Sequence, residues 1–247
     1  MQKRTGGEIY IGVVGPVRTG KSTFIKRFMD VAVLPYMEDA AQKTRAQDEL
    51  PQSAGGRTIT TTEPKFIPQE AVELKLAGEV TIRVRLVDCV GFMVEGAAGH
   101  LEDGAERLVK TPWYDHEIPF TQAAELGTRK VITDHSTIGV VVTTDGSFSD
   151  LPQETYLDAE NQAISELKKL HKPFLVLVNS SHPSSRTARE AAERIEKQHS
   201  VAAMPVNCAQ LSEEDIRQIM EQILYEFPVS RVEFYMPKWV EMLPFSH

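Results

Sequence analysis

At 247 residues the chain is long enough to bury one large core, or one domain and the start of a second. Its 41% hydrophobic and 25% charged residues are an ordinary globular composition, and a formal net charge of −8 argues against a general affinity for nucleic acid or anionic lipid. Two cysteines, Cys89 and Cys208, make no disulfide framework, and there is neither an apolar run of about 18 residues nor a signal-peptide core, so a cytoplasmic protein without a transmembrane segment is expected.

Residues 1–7 are polar and glycine-ended and read as a leading arm. The apolar run Ile9-Tyr10-Ile11-Gly12-Val13-Val14 predicts a strand that runs straight into Gly15-Pro16-Val17-Arg18-Thr19-Gly20-Lys21-Ser22, a fit to G-x-x-x-x-G-K-[ST]. A helix follows over 23–29, with Phe24, Ile25, Phe28 and Met29 at helical spacing. Strand, glycine loop and helix start in this order build a phosphate site, because glycines let backbone N–H groups face an anion that the helix dipole favours. Gly15 through Thr23 are therefore read as nucleotide-binding, with Lys21 bridging the β- and γ-phosphates and the Ser22 hydroxyl on Mg²⁺.

Residues 35–57 lose periodicity around Pro35, Pro51, Gly55 and Gly56 and predict a long loop. Thr58, Thr60, Thr61 and Thr62 stand where a threonine must reach from that loop to the metal and the γ-phosphate. Thr61 or Thr62 is the expected sensor, while a β-branched run opening a strand accounts for the others. Residues 65–67 continuing to 72–76, and 80–87, predict an antiparallel hairpin turning at Ala77-Gly78. Its second strand ends in Asp88-Cys89-Val90-Gly91, where Asp88 would hold Mg²⁺ through a water and Gly91 would offer its N–H to the γ-phosphate. Cys89 reads as a small buried apolar group rather than a nucleophile.

Residues 92–135 are irregular apart from a helix over 120–132, and a lid, an assembly surface and a plain surface loop all stand open for them. His116, between Asp115 and Glu117, reads as a solvated turn, since adjacent loop residues lack ligand geometry. Strands over 138–142, 174–178 and 201–206 then alternate with helices over 153–170, 186–199 and 213–227. This order, with the phosphate loop, predicts an α/β, three-layer P-loop NTPase fold with a mostly parallel sheet and one antiparallel hairpin strand. The expected division is an NTPase domain over 1–228, with its insertion at 92–135, and the start of a connection to another domain at 229–247. A tail that docks Trp239 onto the domain is the other reading.

Over 8–228 these elements resemble the translation-factor-related, Ras-like branch of P-loop NTPases, which implies Ras-like topology. The wording at 12–25, 45–53, 61–66, 86–91, 127–132 and 134–142 more specifically resembles the stage IV sporulation protein A family, morphogenetic ATPases of the bacterial spore coat. The resemblance implies ATP as substrate and Mg²⁺ as cofactor. It further implies self-association into a homopolymer that forms the coat basement layer, membrane-bound and spore-coat partners, and a place in the mother-cell cytoplasm at the forespore outer surface. Members of that family are longer, so the chain corresponds to their amino-terminal nucleotide-binding domain.

Departures from the Ras-like pattern carry information too. Where guanine readers have N-K-x-D, this chain has Asn179-Ser180-Ser181-His182. Asn179 stays a nucleotide-binding candidate, but the missing carboxylate costs a guanine complex on the order of a few kcal/mol, which favours ATP. The residue after Gly91, glutamine in Ras-like switches, is Phe92, whose ring cannot orient water. Arg18 has two readings: a cis-acting charge beside the phosphates, or a solvent-facing side chain that pairs with an acid of the 37–50 segment. Asn207-Cys208-Ala209 stands where relatives contact the base. An ATPase is the leading expectation, a GTP-dependent switch and a module that binds nucleotide without turnover being the alternatives.

Overall fold

Strand β1 (Glu8–Val14) is buried from Ile11 onward on both of its faces, as a central parallel strand must be. The computed structural model describes residues 8–51, 63–75, 81–97, 101–102, 105–148 and 151–227. In it β1 lies between and parallel to β3 (Thr81–Asp88) and β8 (Ile138–Thr144). Beyond β8 come β9 (Phe174–Asn179) and β10 (Ala203–Val206), both parallel, and β2 (Lys65–Lys75) closes the other edge antiparallel to β3. The order is β10-β9-β8-β1-β3-β2, and every residue of β8 and β9 is buried.

Alternation along the strands feeds two cores. Ile11, Val13, Leu86, Val140 and Leu177 meet helices α1 (Lys21–Phe28) and, late in the chain, Glu213–Tyr225. Val14, Val87, Val141 and Val176 face the opposite layer, which includes helices Leu157–Lys169 and Arg186–His199. The result is the expected three-layer α/β architecture, with the phosphate loop and the ends of β3, β8 and β9 along one rim of the sheet.

Two segments differ from expectation. The stretch after α1 is not all loop: it turns at Leu34–Tyr36 and forms α2 (Ala40–Asp48), capped by the Asp39 carboxylate, which accepts the Ala41 and Gln42 N–H groups. The periodic signal is faint because α2 buries only Ala46. Residues 92–135 carry two small hairpins, β4 (Leu101–Glu102) with β5 (Ala105–Glu106) and β6 (Leu108–Thr111) with β7 (Tyr114–Pro119), before α3 (Phe120–Lys130). His116 thus sits on a strand rather than in a turn, its ring 5.4 Å from that of Tyr114. No group of three or more His, Cys, Asp or Glu among the described residues could hold a metal ion. The leading arm, Thr58 to Thr62, the Ala77-Gly78 turn and 229–247 lie outside the described residues. No described helix is long and apolar enough to cross a membrane.

Past α3 the chain widens into the turn Val131–His135, and the Lys172 ammonium donates to the carbonyls of Ile132, Thr133 and Ser136, satisfying groups the helix end leaves open. The remaining helices are α4 (Leu157–Lys169), α5 (Arg186–His199) and α6 (Glu213–Tyr225). α4 places Glu160 beneath β8, 1% exposed, where Thr143 donates to Oε2 at 2.6 Å and Arg194 of α5 stands 2.8 Å from Oε1. Neither atom of the Glu160–Arg194 contact meets hydrogen-bond alignment, so charge attraction carries it. Removing one partner of a buried ion pair costs ~3–5 kcal/mol. With the Arg194 side chain 31% exposed, Arg194→Ala should cost about 2 kcal/mol, read as a lower urea midpoint, and Glu160→Gln with Arg194→Met, which removes both charges and keeps an acceptor for Thr143, should recover most of it.

Candidate nucleotide site

The loop after β1 is shaped by residues that turn inward. Gly15 has φ 129°, and a Cβ there would stand 2.4 Å from the Val142 carbonyl oxygen, so the loop can lie against β8 only with glycine. Val17 is fully buried, and the buried Thr19 hydroxyl meets the carbonyls of Val142 (2.6 Å) and Pro16 (3.0 Å). Arg18 is the loop's one exposed side chain, on a left-handed backbone at φ 61° that side-chain-bearing residues rarely adopt. The side chains of Val17 and Thr19 therefore build the loop, and what these two residues can turn toward a ligand is backbone.

Two neighbouring segments clamp it. From the β3 side, the Phe92 N–H donates to the Gly15 carbonyl at 3.0 Å and the Phe92 carbonyl accepts the Val17 N–H at 2.9 Å, with the ring packed in the core. From the β9 side, Asn179 donates through Nδ2 to the Thr19 carbonyl at 2.9 Å and accepts the Cys208 N–H at 3.0 Å through Oδ1. Its amide is committed to protein on both atoms, so Asn179 positions the loop. Asn207 donates to the Ser181 carbonyl at 3.4 Å and accepts the Ala209 N–H, and burial pushes the Cys208 thiol up to about 12. Ser147, which the sequence pattern does not single out, accepts the Ser181 N–H at 2.8 Å and so shapes the turn in place of N-K-x-D.

The reactive groups gather between these clamps. Lys21 is buried, with Nζ donating to the Pro16 carbonyl at 2.5 Å; burial lowers its pKa, and nearby Cys89 and Asp88 act the other way. Ser22 donates to Asp88 Oδ2 at 3.0 Å, and Oδ1 accepts the Cys89 N–H at 2.9 Å. Burial raises the Asp88 pKa despite Lys21, Ser22 and Cys89, so burial works against its charged form, which a cation beside it would favour. Burial also holds the Cys89 thiol at about 11, which makes it no nucleophile at neutral pH. A Cβ at Gly91, φ 104°, would lie 2.4 Å from the Gly15 carbonyl oxygen and 2.5 Å from Lys21 Nζ. Side-by-side oxygens of Ser22 and Asp88, next to a buried ammonium, fit a hard divalent cation such as Mg²⁺ beside phosphate. Lys21, Ser22, Asp88 and Gly91 thus come together as expected, while Thr61 and Thr62 fall outside the described residues.

The model of the family described as Stage IV sporulation protein A, ATPase domain, matches residues 1–228. The chain belongs to the stage IV sporulation protein A family. It is 49% identical over 247 residues to the Stage IV sporulation protein A of Clostridioides difficile (strain 630), covering 100% of this chain and 50% of the relative. Against that of Bacillus subtilis (strain 168) it is 46% identical over 245 residues, 99% of this chain and 50% of the relative. The chain spans about half the length of the curated relatives it matches. A solved structure described as the crystal structure of SsGBP and GDP complex overlays with TM-score 0.51 at 13% identity, covering 92% of this chain and 52% of that one, a likeness of fold. The family match and the P-loop fold make the chain a nucleotide hydrolase domain.

Asn179→Ala should lower stability by about 2–6 kcal/mol, since it leaves the Thr19 carbonyl and the Cys208 N–H unpaired at ~1–3 kcal/mol each. Chemical denaturation would show the loss, and nucleotide affinity should fall with it.

Proposed function

We propose that this chain hydrolyses ATP to ADP and phosphate with Mg²⁺, and that in the whole protein hydrolysis drives self-assembly of a spore-coat basement layer. The observation that carries the chemistry is the convergence of Lys21, Ser22, Asp88 and Gly91 beside a loop clamped from two sides. Family membership carries the biological setting, which is the mother-cell cytoplasm at the forespore outer surface, with membrane-bound and coat proteins as partners. In this reading 1–228 is the NTPase domain and 229–247 leads toward a further domain.

In the reaction, a water oxygen forms a bond to the γ-phosphorus as the bond to the β–γ bridging oxygen breaks. Charge develops on the transferring group and on the leaving ADP. Lys21 places an ammonium at that charge, with two N–H donors beyond the one Pro16 receives. Mg²⁺, held by Ser22 and Asp88 with a threonine of the 58–62 segment, would neutralise the phosphate oxygens. In this reading Arg18, exposed on a left-handed backbone, would supply a further charge in cis. The base end favours adenine, because Ser180, Ser181 and His182 offer no carboxylate to the guanine donors. Binding without turnover is the second reading, and the buried Phe92 ring in the usual glutamine position is what favours it.

Phosphate release from ATP and from GTP, measured in parallel, tests this. Turnover should be ATP-selective, stopped by chelation of the cation, and reduced at least about a hundredfold by Lys21→Ala and by Asp88→Ala. Arg18→Ala should slow turnover by on the order of tenfold while changing ATP affinity far less; turnover equal to the parent chain would remove Arg18 from the mechanism. A GTP preference would overturn the reading of Asn179-Ser180-Ser181-His182, and release from neither nucleotide would leave binding alone.

A further inference from the structure

Gly91 is the residue whose N–H the γ-phosphate is expected to take, and in the structure that N–H already has a partner. It donates at 3.0 Å to Oγ1 of Thr128, a fully buried residue of α3 that lies 37 positions further along the chain. The Thr128 hydroxyl is itself oriented, because it donates to the Ala124 carbonyl one turn back at 2.8 Å. With its single proton spent there, Oγ1 presents lone pairs to Gly91 and can act toward it only as an acceptor. Gly91 in turn is packed against Lys21, as the 2.5 Å approach of a Cβ to Nζ shows, so the residue that Thr128 holds stands beside the ammonium.

We propose that Thr128 is a positioning residue for the phosphate switch: its hydroxyl holds the Gly91 N–H that a γ-phosphate must take over. The inference rests on the nucleotide-site reading above. One N–H makes one strong hydrogen bond, so Thr128 and the γ-phosphate compete for it. A phosphate oxygen wins because a charge-assisted bond is roughly twice as strong as a neutral one. ADP lacks the competing oxygen and leaves Gly91 fastened to α3. Thr128 therefore sets how strongly the site distinguishes nucleoside triphosphate from diphosphate, and it connects that distinction to α3 and to the β6–β7 hairpin that leads into it.

The test is the ratio of affinities for AMP-PNP and ADP, each with Mg²⁺, measured by calorimetry on the parent chain, Thr128→Val and Thr128→Ser. Valine keeps the shape and removes the acceptor, leaving a buried N–H unpaired except when a γ-phosphate takes it. The ratio should therefore shift toward AMP-PNP by on the order of tenfold. Serine restores the hydroxyl and should keep the parent ratio. In the parent chain with labelled threonine methyl groups, the Thr128 signal should move with AMP-PNP and stay with ADP. A ratio unmoved by valine, or a methyl signal that responds equally to both nucleotides, overturns the proposal, and the second readout holds whether or not the variant folds. A parent chain that binds neither nucleotide overturns the nucleotide-site reading itself and this inference with it.

Discussion

Two backbone hydrogen bonds, Phe92 N–H to the Gly15 carbonyl and Val17 N–H to the Phe92 carbonyl, join the loop after β1 to the segment after β3, and the site depends on that junction. Its origin is the parallel pairing of β1 with β3, in which Val13 stands opposite Asp88, so both strands run out at the same rim. The register cannot slip, because a shift of one residue would turn the apolar residues of the two cores to the wrong faces. Each bond is worth only about 1 kcal/mol net. Their effect is geometric: they bring the acid and glycine of one strand end to the lysine and serine of the other, with the Phe92 ring and Val17 excluding water behind them.

The same loop is held from the opposite side by two further strands. Thr19 is fastened to β8 through the Val142 carbonyl and to β9 through Asn179, so the loop is spanned by three neighbouring strands before any ligand arrives. Preorganisation of this kind is what lets backbone N–H groups stabilise developing charge without rearranging at the moment of reaction. The unfavourable burial of the Lys21 and Asp88 charges is sustained by the surrounding sheet, whose strands β8 and β9 are buried throughout.

Much of this was legible in the sequence where a local pattern reports a local structure. The strand before Gly15, the helix after Gly20 and the helix Arg186–His199 follow from apolar runs, glycine placement and helical periodicity, and each is present. The hidden parts are of two physical kinds. Helix α2 and the β6–β7 hairpin are largely exposed, so burial imposes little periodicity on them. Phe92, Asn179 and Thr128 hold Gly15, Thr19 and Gly91, residues far from them in the chain (160 positions for Asn179 and 37 for Thr128), and no spacing rule announces such pairs. Phe92 reads from sequence as a lost catalytic group and Asn179 as a nucleotide-binding candidate. In the folded chain one is the clamp of the phosphate loop and the other its tie to β9.

The two ends of a nucleotide site are built from different materials, and this explains how fold and specificity separate. The phosphate end is made of backbone held by strand order, left-handed glycines and a helix start, so any chain with this topology and these glycines reproduces it. The end where a base would lie is made of side chains on the loops after β8, β9 and β10, where Ser147, Ser181 and Asn207 bond to one another's segments. A change of one side chain there alters the donors and acceptors offered to a base without disturbing a strand. A protein solved with GDP can therefore share this architecture at 13% identity without that likeness carrying a base preference to this chain. Base preference has to be argued from Asn179-Ser180-Ser181-His182 and their neighbours, and phosphate chemistry from the strand ends that every such fold brings together.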